Sequence, residues 1–305
     1  MPPSFSPELL GRAEAAALAV QRLPPRGALA REMRHIWRAE IFASSALAGS
    51  QLTDPEVDAL LDQGRAQGNH AFEDYVLVRA YADAARWVAD TRAHLAGDPR
   101  PLLSVDELRQ LNARATAGST ARGGAWRQGN LAANAGVVAP AAWLVARETT
   151  TLLDRFGRGP QANPVALWSA RFLGRFARLR PFEGANGRTA RLATNMMLRR
   201  LDYPPLVFEK RDRRRFPAAL AAAETNDPGA LAALIATAIL RACNRLSAVA
   251  ERASEPLAPL RAAAGADYTA LAKAAQRGRL RTIVRGGRYY TTPGWIAEYR
   301  ANQSG

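Results

Sequence analysis

The sequence has a single cysteine, Cys243, among its 305 residues. One thiol cannot form an intramolecular disulfide, so the fold does not require an oxidising compartment. The N-terminus carries Glu8 and Glu14 and lacks the basic and then apolar pattern of a signal peptide. The longest apolar run, residues 229–240, has twelve residues, whereas a membrane-spanning helix needs about 20. We therefore expect a soluble, cytoplasmic protein that does not bind a membrane.

Lysine is also scarce, since Lys210 and Lys273 are the only lysines among the 42 basic residues. The net charge of +15 would attract phosphate-rich partners. A GC-rich coding bias explains the abundance of arginine and alanine equally well. A hydrophobic fraction of 48% with 23% charged residues is that of a globular protein, so disorder is excluded as the default state.

Apolar residues recur at helical spacing through most of the chain, which predicts an all-α protein. The pattern stops at Pro24 and Pro25 and then resumes. Asp54 followed by Pro55 predicts a helix with Asp54 at its N-cap. A further helix is predicted for residues 71–95.

A break rich in glycine and proline at residues 97–101 predicts the first domain boundary. Ser104 and Glu107 then form a capping box that begins the next helix. The predicted domains are an N-terminal helical region, a helical core and a C-terminal module, at residues 1–100, 101–250 and 251–305.

Residues 179–191 place a glycine-bearing loop directly before a helix. Free backbone N–H groups at the helix start, the helix dipole, and Arg188 and Arg191 one turn apart all favour an anion at this point. Gly184 and Gly187 let the backbone approach a ligand closely. The stretch therefore predicts a phosphate-binding site.

The same stretch resembles the signature of Fic-domain proteins, His-Pro-Phe-x-(Asp/Glu)-(Gly/Ala)-Asn-Gly-Arg-x-x-Arg. The residues that match it are Pro181, Phe182, Ala185, Asn186, Gly187, Arg188 and Arg191. The resemblance covers about residues 30–245 and implies a Fic-type helical core with a small β-hairpin flap. It also implies a bound nucleotide, such as ATP, on Gly184, Ala185, Asn186, Gly187, Arg188 and Arg191.

Two positions of this signature differ, because Arg180 replaces the histidine of the family and Gly184 replaces its metal-binding acid. In the family's AMP transfer, the histidine accepts the proton of a target hydroxyl and the acid holds Mg²⁺. Arginine stays protonated near neutral pH, and glycine has no side-chain ligand. Glu183 could replace the lost carboxylate only if the loop shifts. The histidines of the chain all precede the core, at His35, His70 and His94.

The segment 44–49 resembles the Ser-Ser-x-Ile-Glu-Gly motif of many Fic proteins, whose glutamate pairs with the second motif arginine and holds ATP unproductively. Ser44, Ser45 and Gly49 match it, while Ala48 stands in place of the glutamate. The alternative is an ordinary helix C-terminus that Gly49 closes.

Residues 118–141 are glycine-rich and lack periodicity. In Fic proteins this place holds a Gly-x-x-Arg element and the β-hairpin flap that aligns the target segment. The sequence Gly-Ala-Trp-Arg at 124–127 resembles that element. A plain surface loop is the alternative, although ordered loops of this length tend to be functional.

The last sixty residues differ in character. A short helix, a second helix over 267–277, a hairpin with a Gly-Gly turn at 286–287 and a terminal helix from Pro293 form the pattern of a winged helix-turn-helix. This resembles excisionase-like and MerR-like modules, which bind duplex DNA. A basic module for homodimerisation is the alternative. The candidate phosphate contacts are Arg277, Arg279, Arg281, Arg285 and Arg288.

Two function hypotheses follow. One is a degenerate Fic protein that keeps its anion pocket and senses a nucleotide or phosphate, with DNA as a further partner through the C-terminal module. The other is a working transferase of AMP, or of another phosphate-containing group, onto the hydroxyl of a target protein. The replacements at Arg180 and Gly184 favour the first.

Overall fold

The computed structural model describes residues 6–23, 27–95, 97–119, 122–132, 137–253 and 258–301. Contacts divide the chain into two units, Met1–Leu246 and Ser247–Gly305. The predicted boundary at residue 100 stays a prediction. Pro24 and Pro25 lie outside the described residues.

The first unit is helical, and the helix predicted for residues 71–95 ends earlier than expected, at Ala89. A 3₁₀ turn at Ala142–Leu144 precedes α6. The α-helices are α1 (Pro7–Gln21), α2 (Ala28–Leu47), α3 (Asp54–Gln63), α4 (Phe72–Ala89), α5 (Val105–Ala115), α6 (Val145–Phe156), α7 (Val165–Leu179), α8 (Asn186–Arg200), α9 (Lys210–Arg213), α10 (Phe216–Glu224) and α11 (Gly229–Ala253).

Capping residues explain where two of these helices begin. The predicted capping box of α5 is confirmed, since the Ser104 hydroxyl accepts from the Glu107 N–H at 3.2 Å while Glu107 accepts from the Ser104 N–H at 3.0 Å. The predicted N-cap of α3 is wrong by one residue. Thr53 is the N-cap, and its N–H donates to the Glu56 carboxylate at 2.7 Å. Thr53 is the N-cap because Glu56 is then at position N3 of the helix. From N3, a glutamate side chain can accept a hydrogen bond from the backbone N–H of the N-cap residue, as in a capping box.

Helices α7 and α8 lie in the centre of the unit, and Phe172, Phe176 and Leu192 are fully buried in its main core. Helix α10 packs closely on α7 at Gly174, where a Cβ atom would lie 2.5 Å from the Ala223 carbonyl oxygen. This mid-helix glycine is therefore required by packing and not by backbone conformation. The two central helices bring the loop between them to a fixed position.

Helix α11 contains a longer apolar segment than the run of twelve residues identified in the sequence. Its Gly229–Ala250 segment of 22 residues is long and apolar enough to cross a membrane by length and composition. The apolar run in the sequence ends just before Arg241. The Arg241 side chain forms an ion pair with Asp212, so it interrupts the apolar residues while the helix continues past it. The structure buries 61% of the apolar window inside the protein, as is typical of a core helix.

The second unit contains a three-stranded antiparallel sheet in the order β1 (Ala258–Pro259), β3 (Arg288–Thr291), β2 (Ile283–Arg285). Its helices are α12 (Leu260–Ala264), α13 (Tyr268–Gln276) and α14 (Pro293–Ala301). The predicted hairpin is confirmed, with Gly286 and Gly287 both at positive φ in the turn. Sequence reasoning missed β1, because a strand of two residues, one of them a proline, carries no strand periodicity. Along the chain, these elements follow the order β1, α12, α13, β2, β3 and α14.

Candidate functional site

The loop between α7 and α8 is held by its own backbone and by one asparagine. Arg180 ends α7 in the left-handed region at φ 43° and Ala185 precedes α8 at φ 57°. The Asn186 side chain accepts from the Phe182 N–H at 3.0 Å and donates to the Phe182 carbonyl at 2.8 Å. Two left-handed residues that are not glycine are strained, so the loop keeps its shape through such contacts.

Arg127 holds the loop from its other side. Its backbone N–H donates to the Pro181 carbonyl, and its Nε donates to the Arg180 carbonyl, both at 2.9 Å. The side chain is buried, and its other nitrogens donate to further carbonyls. The neighbouring Trp126 stacks on Phe182 with ring centroids 5.0 Å apart. The Gly-x-x-Arg element singled out in the sequence therefore positions the central loop.

A buried asparagine that the sequence gave no reason to single out joins these parts. Asn112 of α5 donates to the Gly184 carbonyl and to the Thr189 hydroxyl, each at 3.0 Å. Its side-chain oxygen accepts from the Gly124 N–H at 2.9 Å. Gly124 has φ +74°, and a Cβ atom there would lie 2.8 Å from the Arg109 carbonyl oxygen. Only glycine suits this position.

The segment 44–49 lies against the second arginine of the motif. The buried Arg191 donates from Nε to the Ser44 hydroxyl at 2.6 Å and from Nη2 to the Ser44 carbonyl at 2.9 Å. Ser45 is buried, while Ala48 and Gly49 follow at the C-terminus of α2, with Gly49 at φ +103°. Ser44 therefore contacts Arg191 through both the side chain and the main chain of the serine.

Glu40, one turn before Ser44, is a buried carboxylate that sequence reasoning missed. Its Oε1 accepts from the Tyr81 hydroxyl at 2.7 Å and from Ser44 and Asn195 at 3.1 Å each. Burial raises the pKa of Glu40 to about 7, although Tyr81 and Arg191 act to lower it. Its Oε2 is buried without a partner among the described residues. Glu40 thus accepts a hydrogen bond from the Ser44 hydroxyl, which in turn accepts one from Arg191.

A pocket of about 260 Å³ opens at the start of α8. Arg180, Asn186, Gly187 and Arg191 line it together. The first N–H groups of α8 have no acceptor within the helix, so they are available to an anion. The pocket also has a carboxylate that sequence reasoning missed, Glu224 at the end of α10.

Three other residues of the predicted nucleotide site do not line this pocket: Gly184, Ala185 and Arg188. The Gly184 carbonyl is engaged by Asn112. Arg188 is half-buried, and its Nη1 donates to the Ala115 carbonyl at 2.7 Å. Burial lowers the pKa of Arg188. The structure therefore groups Arg180 with Arg191, and places Arg188 against α5.

The residues at the motif do not suit a metal ion. Gly184 has no side-chain ligand, and the Glu183 carboxylate pairs with Arg122 at 2.9 Å. The hydrogen bond from Arg122 lowers the pKa of Glu183. Within the described residues, no three His, Cys, Asp or Glu side chains group as metal ligands do.

The histidines lie away from the pocket. His70 is 3.0 Å from the Glu56 carboxylate beside α3. Burial lowers the pKa of His94, whose backbone N–H donates to the Arg200 carbonyl at 2.8 Å. His35 is exposed on α2. The described residues that line the pocket include Arg180 and no histidine.

The C-terminal unit presents its basic residues to solvent. Arg277 and Arg279 are exposed after α13, and Arg288 is exposed at the start of β3. Arg281 is exposed as well, with its guanidinium 4.9 Å from the centre of the Trp295 ring. The side chain of Arg285 lies outside the described residues. Helix α13 adds exposed polar side chains at Thr269, Lys273 and Gln276, which share one face by helical spacing.

Residues 102–198 match the family model of the Fic/DOC family. A Fic domain-containing signaling protein from Bacteroides thetaiotaomicron has a similar fold, with a TM-score of 0.68, 20% identity, and coverage of 80% of this chain and 97% of that one. Fic-1 from C. elegans (residues 134–508) has a TM-score of 0.70 and 18% identity, over 81% and 73% of the two chains. A Fic family protein from Desulfovibrio desulfuricans has a TM-score of 0.61 and 20% identity, over 96% and 98%.

A search of curated proteins gave no match. These three solved structures are at most 20% identical to this chain, so they inform on its fold alone. Together with the family match, they confirm the predicted all-α fold around the motif. The predicted flap includes an isolated antiparallel bridge between Trp126 and Phe182, and its residues 133–136 lie outside the described chain.

Proposed function

We propose that the chain, whose residues 102–198 match the Fic/DOC family model, binds a nucleotide or phosphate at the start of α8 and acts as a regulatory protein with impaired transfer activity. The observation that carries this proposal is the pocket, where Arg180, Arg191, Asn186 and Gly187 meet. Two guanidinium groups and free helix N–H groups suit a phosphate.

Impaired transfer follows from the side chains of the same pocket. Transfer of AMP to a hydroxyl needs a group that accepts the hydroxyl proton, and a general base typically contributes about 10²–10⁴-fold to the rate. The guanidinium of Arg180 stays protonated near neutral pH. It can therefore donate hydrogen bonds to a phosphate but cannot accept this proton. Gly184, in the loop before the pocket, has no side chain at the position where the family signature has its metal ligand.

Calorimetry with ATP, ADP and AMP tests the binding step. We expect Arg180→Ala to weaken binding by about tenfold, because a charge-assisted hydrogen bond to phosphate contributes about 1.5–3 kcal/mol. Arg178→Ala is the matched control, since Arg178 is an exposed arginine of α7 that does not line the pocket. No binding by the wild type, or equal losses in both variants, would refute the proposal.

Labelled ATP tests the transfer step. We expect little or no AMP transfer by the wild-type protein to itself or to lysate proteins. The double variant Arg180→His, Gly184→Asp should gain more activity than Arg180→His alone, because the double change restores both the base and the metal ligand. Transfer by the wild type at ordinary enzyme rates would instead support the active transferase of AMP or another phosphate-containing group onto a protein hydroxyl.

The C-terminal unit supports a second candidate function, binding of duplex DNA. Its strand order and its exposed polar face on α13, with Lys273 and Gln276, are typical of a winged helix that places α13 in a major groove. Arg277, Arg279 and Arg288 would then contact phosphates. The alternative remains a module for homodimerisation.

Retardation of a promoter fragment of the protein's own gene, beside random DNA, tests this function. We expect the double variant Lys273→Ala, Gln276→Ala to lose the preference for the promoter fragment. The control Arg175→Ala, Arg178→Ala removes exposed charge from α7 and should keep it. If the wild type does not prefer the promoter fragment over random DNA, or if both double variants keep this preference, α13 does not recognise a DNA sequence. A concentration-dependent dimer that the α13 variant disrupts would favour the homodimerisation module.

A further inference from the structure

One wall of the motif pocket is a single face of α10. Phe216, Leu220 and Glu224 all line the pocket and are spaced four residues apart. Eight residues at 1.5 Å each place Phe216 and Glu224 about 12 Å apart along the helix. The wall of the pocket therefore extends over two turns of α10, with the apolar side chains of Phe216 and Leu220 and, at the end of the helix, the carboxylate of Glu224.

The carboxylate of Glu224 has unused acceptor capacity. Within the part of the chain that the structure describes, it makes no hydrogen bond and no ion pair. Burial raises the pKa of Glu224, and the charge of Arg180 acts to lower it. A carboxylate offers only acceptors at neutral pH. A ligand that reaches Glu224 must therefore present N–H or O–H donors.

The rest of the pocket restricts the ligand further. Arg180, Arg191 and the start of α8 favour an anion. Leu173 of α7, with Phe216 and Leu220 of α10, provides apolar surface of the kind that holds a flat ring. An anion, a flat ring and an edge with donors occur together in a nucleotide.

We propose that this pocket selects a guanine nucleotide, with its phosphates at the start of α8 and its base against Glu224. Guanine presents two adjacent donors on one edge, the N1–H and the 2-amino group, which match the two oxygens of a carboxylate. Adenine presents its amino group beside a ring nitrogen, whose lone pair would face the carboxylate. This inference rests on the proposed nucleotide binding at the same site.

Calorimetry of the full-length protein with GDP, IDP and ADP tests the inference. We expect GDP to bind at least about tenfold more tightly than ADP, because a hydrogen bond to a charged group is stronger than one between neutral groups. IDP lacks the 2-amino group and should lie between them. Glu224→Gln should reduce the affinity for GDP about tenfold or more and leave that for ADP within about threefold. Glu73→Gln, at an exposed glutamate of α4, should change neither.

These measurements test the role of Glu224 in selecting guanine separately from nucleotide binding itself. If ADP binds as tightly as GDP, or if Glu224→Gln and Glu73→Gln behave alike, the role of Glu224 is refuted while nucleotide binding stands. If none of the three nucleotides binds to the wild type, nucleotide binding itself is refuted. Circular dichroism should show the same folded spectrum for both variants, since neither residue makes a hydrogen bond that the core needs.

Discussion

Ser44 holds Arg191 by two hydrogen bonds, one from Nε to its hydroxyl at 2.6 Å and one from Nη2 to its carbonyl at 2.9 Å. The contact joins α2 to α8 across 147 residues of sequence. The guanidinium of Arg191 is therefore positioned by a neutral side chain and a backbone carbonyl.

Replacing Ser44 by alanine leaves the buried Nε of Arg191 without an acceptor. Such an orphaned donor costs about 1–3 kcal/mol, so we expect the free energy of unfolding in urea to fall by that amount. Ser45→Ala is the control, because Ser45 is equally buried and its hydroxyl has no partner among the described residues. Equal losses in the two variants would contradict a special role for the Ser44–Arg191 contact.

The raised pKa of Glu40 predicts that the free energy of unfolding depends on pH. Its pKa is about 7 when folded and 4.5 ordinarily, so the folded state binds this proton more tightly. The resulting stabilisation is fully present below about pH 4.5 and is lost as the pH rises through 7, roughly 3 kcal/mol in all. Glu40→Gln should abolish this loss, which urea unfolding between pH 4.5 and 8 would measure. Parallel curves for the wild type and Glu40→Gln would contradict the shift, and exposed Glu73→Gln should leave the curve unchanged.

Gly174 is predicted to tolerate no side chain. A Cβ atom there would lie 2.5 Å from the Ala223 carbonyl oxygen, which is backbone and cannot rotate away. Although alanine is the better helix former, we expect Gly174→Ala to lower the free energy of unfolding by about 1–3 kcal/mol through overpacking. Gly129→Ala, where a Cβ meets nothing within 4 Å, should change it little. A stabilised Gly174→Ala variant would show that α10 does not pack as described.

Arg127 is predicted to be essential for the shape of the motif loop. Arg127→Gln removes hydrogen bonds to the Arg180 and Gly129 carbonyls and leaves those acceptors unpaired. We expect a loss of about 3 kcal/mol in unfolding free energy, together with weaker nucleotide binding. Arg122→Gln is the control, because it breaks only a surface ion pair with Glu183 and should cost less than about 1 kcal/mol. Binding that survives Arg127→Gln unchanged would mean that the loop holds its shape without this clamp.

Much of the fold could be predicted from local sequence. Helical periodicity fixes which segments of the first unit are helices, and the Ser104–Glu107 capping box fixes where α5 begins, because these signals depend on neighbours within one or two turns. The hairpin of the second unit follows from Gly286 and Gly287 for the same reason. The assignment of Asp54 as an N-cap was wrong because two adjacent residues could both cap, and the side chain of Glu56 selects Thr53.

The sequence by itself determined the helical fold and the residue types at Arg180 and Gly184, since these depend on residue type and short spacing; anion binding by residues 184–191 stays a prediction. Only the tertiary structure decided that Ser44 holds Arg191 and that Arg188 turns to α5 instead. It also brought Glu224 into the pocket and buried Glu40 behind Arg191. These contacts join residues far apart in sequence, and burial depends on how helices pack, which no local pattern records.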